Sequence, residues 1–385
     1  MNISYIHNQI MNEIYMINDK RTINHMKERT FSGYKKTDVI NQVFKSMESK
    51  KIEATCFWIT ECLVSGYIVT LFEKLINYGG KLSINNPSLP SFLKMKHDIF
   101  YNQLNHLKHL KKEAPLYLRN SIMIRNMFFD IATTYILTPF KKKYEITKKI
   151  KEEDLKFEKI QNLLSASMNV LPETFIHFTD PPELRILMNE LLFLFKNKQV
   201  GYDRCLFWIQ FLQKWETLHK KKKNSWNISP RKVNGISEKQ TANFIWIIWE
   251  IIFYELQSRR NLKVKQQIDC LYELFKYNYS SGKRNTRLPL VYWSIALLIF
   301  PCDFSKPVRS DYRLFIQSQS NLQKMFQMKK TFEQVNEGIQ LTIPVQPKNP
   351  PKRNKKKEIN YEIEIIQDKV SLFNELDKQI MGKYI

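Results

Sequence analysis

Two cysteines, a tryptophan, a glutamate and a Ser-Gly-Tyr turn fall within one short stretch, ATCFWITECLVSGY at residues 54–67. A cysteine nucleophile needs a base beside it and a lowered thiol pKa, and the stretch holds no histidine. A disulfide between Cys56 and Cys62 would need Cα atoms within roughly 7 Å, whereas six residues of helix separate them by about 9 Å. Ile52, Cys56, Ile59 and Leu63 recur at the 3-to-4 spacing of one apolar face, and Glu53, Thr60, Glu61, Glu73, Lys74 and Asn77 fall mostly on the other. The stretch reads as a packed helix.

His106 and His109 lie three residues apart, with His97 two to three turns earlier. A zinc site needs further Cys, His or carboxylate ligands nearby. Here the neighbours are Leu and Lys, and lysines oppose an added cation, so a solvated helix face is expected and no metal. The chain also lacks GxxxxGK[ST], a GxGxxG after a strand, GxSxG, HExxH and paired metal-binding aspartates. No catalytic residue and no cofactor is assigned; an enzyme would have to assemble its site from dispersed residues.

Binding chemistry is better represented. In the loop 219–236, Lys220, Lys221, Lys222 and Lys223 are followed by Trp226, Arg231 and Lys232; within 214–232 seven basic residues face one acid, Glu216. A second cluster, YNYSSGKRNTR at 277–287, holds Tyr277, Tyr279, Lys283, Arg284 and Arg287. Lysines and arginines hold phosphates, and exposed aromatic rings stack on unpaired bases. The expected nucleic-acid contacts are therefore Lys220–Lys223, Trp226, Arg231, Lys232, Lys283, Arg284 and Arg287. Arg259, Arg260, Lys263 and Lys265 continue the excess between the two clusters, and Lys352–Lys357 form a basic run suited to nuclear localisation or polyanion tethering.

The elements that must position these residues are helical. The stretch around Cys56 reads as a helix that pauses near Ser65-Gly66 and ends at Gly79-Gly80, and a proline-led helix begins at NNPSLPSFL. Further helices are predicted at 116–137, 152–168, 182–197, 202–220, 238–258, 261–279 and 288–300, with one or two in 309–335. Pro182 and Pro289 sit where a first helical turn accepts proline. IQLTIPV is the one convincing strand signal. A tryptophan in a long apolar helix recurs in CFWITECL, CLFWIQFL, FIWIIWEII and VYWSIALL, at irregular spacing where a solenoid would show a fixed period. The expected fold is all-α: packed helical bundles, or an irregular helical-repeat array. An N-terminal unit (1–140) would precede a basic hinge (141–152), a central unit (153–335), a Pro/Lys-rich linker (344–357) and a C-terminal amphipathic helix (358–385). Helices 238–258 and 261–279, paired as an antiparallel hairpin, would bring both basic clusters to one end.

A chain of 385 residues exceeds one ordinary core, which agrees with more than one packed unit. Nine glycines suit helices better than hairpins. Its formal charge of +24 favours polyanions, although richness in Lys, Asn and Ile also fits the codon bias of an AT-rich genome. The five scattered cysteines lack CxxC spacing, which suits a reducing compartment. Residues 1–30 lack the apolar run of a signal peptide, and the longest apolar stretches fall short of the roughly 20 residues a bilayer demands. A soluble intracellular protein without a transmembrane segment is expected.

The stretch EATCFWITECLVSGYIVTLFEKLINYGGKLSINNPSLPSFLKMK resembles an uncharacterised protein family of nucleocytoplasmic large DNA viruses, the mimivirus- and phycodnavirus-like groups. The resemblance continues through CLFWIQFLQKWETLHKKKK, NFIWIIWEII and YSSGKRNTRLPLVYWSIALLIFP, covering about 50–300. It implies a host-cytoplasmic viral factory or a virion, and it brings no defined activity and no functional residues. The same opening stretch also looks like the helical collar of clamp-loader ATPases, without their ATPase half. Together these readings give a non-enzymatic helical protein that binds nucleic acid or a nucleoprotein assembly, with a virion or factory scaffold meeting an acidic protein partner as the alternative. Because no structural disulfide is expected, dithiothreitol should leave the thermal midpoint unchanged; a large drop in a melting scan would contradict this.

Overall fold

The computed structural model describes residues 15–80, 82, 86–138, 150, 157–197, 201–221, 226–309 and 311–334. Among them are fourteen α-helices and no strand, with one isolated antiparallel bridge between Arg29 and Lys35. In chain order these are α1 (Lys36–Glu48), α2 (Ile52–Val64), α3 (Ile68–Gly79), α4 (Leu89–His106), α5 (Ala114–Leu118), α6 (Ile122–Leu137) and α7 (Phe157–Gln161). They are followed by α8 (Pro182–Lys196), α9 (Gly201–Lys221), α10 (Glu238–Thr241), α11 (Phe244–Arg259), α12 (Leu262–Lys276), α13 (Arg284–Ile299) and α14 (Tyr312–Lys330). The protein is all-α, built of packed helices. The strand signal IQLTIPV, the linker 344–357, the C-terminal helix 358–385 and all but Ile150 of the hinge lie outside the described residues.

Local signals place most helix ends. Ser121, Asn243, Asn261 and Asp311 each accept a backbone N–H of the turn they open, on α6, α11, α12 and α14. Pro182 occupies the first turn of α8. Pro289, expected at a helix start, instead lies inside α13, which begins at Arg284. Gly79 and Gly80 do end α3, but a second constraint acts there. A Cβ on Gly80 would meet Pro289 O at 2.6 Å, and one on Gly79 would meet Leu93 and Tyr135 at 2.8 Å. These positions let the end of α3 touch the backbone of α13.

One expected helix stops early among the described residues. Of the expected helix 152–168, the described residues 157–168 hold only the short α7, and a segment irregular but for a 3₁₀ turn at Glu173–Phe175 runs on to Pro181. Four of its backbone donors are satisfied by two side chains of α8. Glu190 accepts from Ser165 N and Ala166 N, and Asn189 accepts from Val170 N and Leu171 N.

Helices α1, α2, α6 and α14 pack together, α8, α9, α11 and α13 form a second bundle, and the contacts of α3 with α13 and α4 with α12 join them. One apolar core runs from Ile17 to Phe326 and includes Trp58, Trp208, Trp246, Trp249 and Trp293. The sequence grouping puts α14 with the central unit, yet it packs on α2 and α6 of the N-terminal bundle, where Phe326 lies under the Arg125 guanidinium at 3.6 Å.

The tie that explains this placement is polar. From Thr55 to Val64 every residue of α2 is buried, so the helix has no solvated face. Glu61, expected on the polar side, is fully buried. It pairs with the buried Lys329 of α14 at 2.5 Å and accepts from Ser32 N at 2.8 Å and Ser32 Oγ at 2.7 Å. Lys329 also lies over the Phe57 ring at 4.0 Å. The same packing accounts for the cysteines: all five are free, and burial pushes the thiols of Cys56, Cys62 and Cys205 upward, so they stay protonated.

Burial alone would raise the Glu61 carboxyl pKa; the Lys329 charge and hydrogen bond, with Thr30 and Ser32, outweigh it and hold the value below normal. A depressed carboxyl contributes stability above its unfolded pKa, about 4.3, and loses it as pH falls through the folded value. Lys329→Met should cost about 3–5 kcal/mol in urea unfolding at neutral pH by stranding the carboxylate. Combining it with Glu61→Leu should recover most of that loss and flatten the acid limb of the stability profile. A Lys329→Met variant as stable as the parent would refute the tie.

Candidate nucleic-acid interface

Helices α11 and α12 form an antiparallel pair held by aromatic rings. Trp246 meets Phe275 and Tyr279, Trp249 meets Tyr272 and Phe275, and Phe253 meets Tyr272, with centroids 4.8–5.5 Å apart. The start of α11 therefore lies beside the close of α12, and both basic segments reach this end. They meet on a buried carboxylate. Glu216 of α9 pairs with Arg284 at 2.6 Å and with Lys220 at 2.7 Å, and Asn243 donates to it at 3.4 Å. Arg284 also stacks over Phe244 at 5.0 Å.

Several residues expected to touch phosphates or bases instead serve the interior. Trp226 is buried, with its ring 5.1 Å from His219 and 6.3 Å from Trp215, out of reach of a stacking base. Tyr279 is likewise buried against Trp246. Arg231 is enclosed: it pairs with Asp180 at 2.6 Å and Glu250 at 3.4 Å and donates to the carbonyls of Phe175 and Ser229. Arg287 donates to Phe275 O at 2.6 Å and Tyr277 O at 2.7 Å, serving the carboxyl end of α12. Lys283 reaches Glu73 of α3 at 2.9 Å. The guanidiniums go where carboxylates and carbonyls answer most of their donors. The Trp226 and Tyr279 rings go where they pack on other rings, although the indole N–H and the phenol oxygen are left without a partner among the described residues.

Three of the expected residues remain at the surface: Lys220, whose side chain is 65 % exposed despite its bond to Glu216, together with Lys221 and Lys232. Lys222 and Lys223 lie outside the described residues. A further basic segment was hidden by its helical reading. Helix α4 stops at His106 and a short 3₁₀ turn follows, which leaves His106, Lys108, His109, Lys111 and Lys112 exposed, with Tyr117 exposed nearby. None of these five forms an ion pair among the described residues. The absence of any acid in HLKHLKK (106–112) was the available sequence signal.

No group of three or more His, Cys, Asp or Glu side chains could hold a metal among the described residues, and no described helix is long and apolar enough to cross a membrane. The chain matches no protein-family model, no curated protein and no solved structure.

The neighbours Arg231 and Lys232 should behave oppositely. Arg231→Ala strands the buried Asp180 and should cost roughly 3 kcal/mol or more, whereas Lys232→Ala should stay within about 0.5 kcal/mol of the parent. Equal losses in chemical denaturation would show that the two side chains are not divided between interior and surface.

Proposed function

We propose that this is a non-enzymatic helical protein that binds nucleic acid or a nucleoprotein assembly, contacting phosphates through the lysines at the end of the α11–α12 pair. The observation that carries this reading is the exposure of Lys221 and Lys232, which form no ion pair among the described residues, and of Lys220, which shares Glu216, the one acid within 214–232, with Arg284. Cations that no nearby acid neutralises are free to displace the counterions of a polyphosphate. Protonated, buried thiols at Cys56, Cys62 and Cys205 argue against thiol chemistry. The resemblance of residues 50–300 to the viral family supports a viral factory or virion as the setting.

A second reading, a scaffold that meets a protein partner, is favoured by a different feature. The irregular segment after α7 is anchored by Glu190, Asn189, Asp180 and Arg231, yet it presents Phe178 fully exposed and Met168 largely so. Long loops held rigidly in this way are common sites of contact.

Binding to single- and double-stranded DNA and RNA across a salt series separates the two. Changing Lys220–Lys223 and Lys232 to glutamine should weaken binding and reduce the slope of log K against log salt by as much as about 4. The same change at Lys27, Lys35, Lys45, Lys51 and Lys74, all exposed, serves as control. No binding at low salt would remove the nucleic-acid reading, and equal losses in both variants would leave only total charge.

A further inference from the structure

Where α3 and α4 meet α12 and α13, a cleft of about 40 Å³ is lined by Glu73, Asn77, His97, Tyr101, Lys283 and Arg287. That volume holds about three waters and is far too small for a nucleoside. Its wall is rigid. The rings of His97, Tyr101 and Tyr277 pack on one another with centroids 4.3–4.6 Å apart.

The hydrogen-bond inventory of the cleft is unbalanced. Arg287 is only 7 % exposed, and its Nη1 is spent on the two carbonyls at the end of α12. Its Nε and Nη2 make no bond among the described residues. No carboxylate pairs with it, and burial accordingly lowers its pKa. The Tyr101 hydroxyl likewise has no partner among the described residues. Burial raises its pKa and the nearby Glu73 charge adds to this, so it remains an O–H donor. His97 is kept neutral mainly by desolvation. The acceptor on this wall, Glu73, is already engaged by Lys283 at 2.9 Å. The unused donors of Arg287 and Tyr101 belong to residues that line this cleft, no carboxylate pairs with the guanidinium, and a small oxygen-rich anion would answer these donors together.

We propose that this cleft binds one phosphate group, held by the free edge of Arg287, the Tyr101 hydroxyl and Lys283, with Glu73 sharing Lys283. The site is separate from the lysine surface and stands whether or not that surface binds nucleic acid. Its size admits a terminal phosphoryl group or free phosphate. Repulsion from Glu73 keeps affinity on the order of millimolar, the range of a few charge-assisted hydrogen bonds.

Titrating the full chain with inorganic phosphate at constant ionic strength, followed by the imidazole NMR signals of His97, tests this. Phosphate should shift those signals saturably. Tyr101→Phe and Lys283→Gln should each weaken binding roughly tenfold without lowering the thermal midpoint by more than a few degrees. Arg287→Gln should abolish binding, but it also cuts the ties to Phe275 and Tyr277, so Tyr101→Phe carries the test. An oligonucleotide bearing a 5′-phosphate that shifts His97, where its 5′-hydroxyl counterpart does not, identifies a strand end as the source. A response to inorganic phosphate alone identifies the free ion. Unmoved His97 signals, an equal response to acetate, or parent-like affinity in Tyr101→Phe and Lys283→Gln would overturn the proposal.

Discussion

A carboxylate taken out of water has to be met by a cation or by several N–H donors, and six acidic residues are buried among the described residues: Glu61, Asp130, Asp180, Glu190, Glu216 and Glu255. Each is answered, five of them from another segment of the chain. Lys329 meets Glu61, Lys96 and Arg309 meet Asp130, Arg231 meets Asp180, Arg284 meets Glu216, and Arg259 meets Glu255. Glu190 instead collects the backbone N–H groups of Ser165 and Ala166 and the Trp208 indole. Apolar packing alone would tolerate many arrangements of fourteen greasy helices. The pairings that join different segments do not, because breaking one leaves a charge stranded, and so they select which helices meet; of those named, only Arg259 with Glu255 lies within one helix, α11.

The same demand sorts the positive charges. In both basic segments the arginines go inward and most of the lysines stay out: Arg231, Arg284 and Arg287 are drawn to buried acceptors, while Lys220, Lys221 and Lys232 remain exposed. Guanidinium is more weakly hydrated than ammonium and offers a fork of donors that can satisfy two carbonyls or a carboxylate at once. Lys329 is the exception, and its place is prepared by Glu61, Ser32 and the Phe57 ring.

Arg287 shows how interior and functional roles overlap. One nitrogen closes the end of α12, and the remaining edge faces a cleft shared by both bundles. The segment after α7 is similar in kind. Four side chains hold it in a non-helical path, and the outcome is an exposed phenylalanine at a defined place.

Periodicity, prolines and capping residues were enough to determine the helical class and most of the helix boundaries, because those depend on interactions within a few residues. That the ends of α11 and α12 come together was legible only on the condition that the two helices pair as a hairpin, and the rings of Trp246, Trp249 and Phe253 on Tyr272, Phe275 and Tyr279 supply that pairing. The amphipathic reading failed where burial is complete. Glu61 looked solvent-facing because one helix cannot reveal that α1, α6 and α14 surround it. Composition located the basic segments but could not separate Lys232 from Arg231, or exposed tryptophan from Trp226 under His219. Those distinctions rest on partners such as Glu61 and Lys329, 268 residues apart in the chain, and only the tertiary structure decides which cation meets which carboxylate, because desolvation is a property of the packed interior and not of the local sequence.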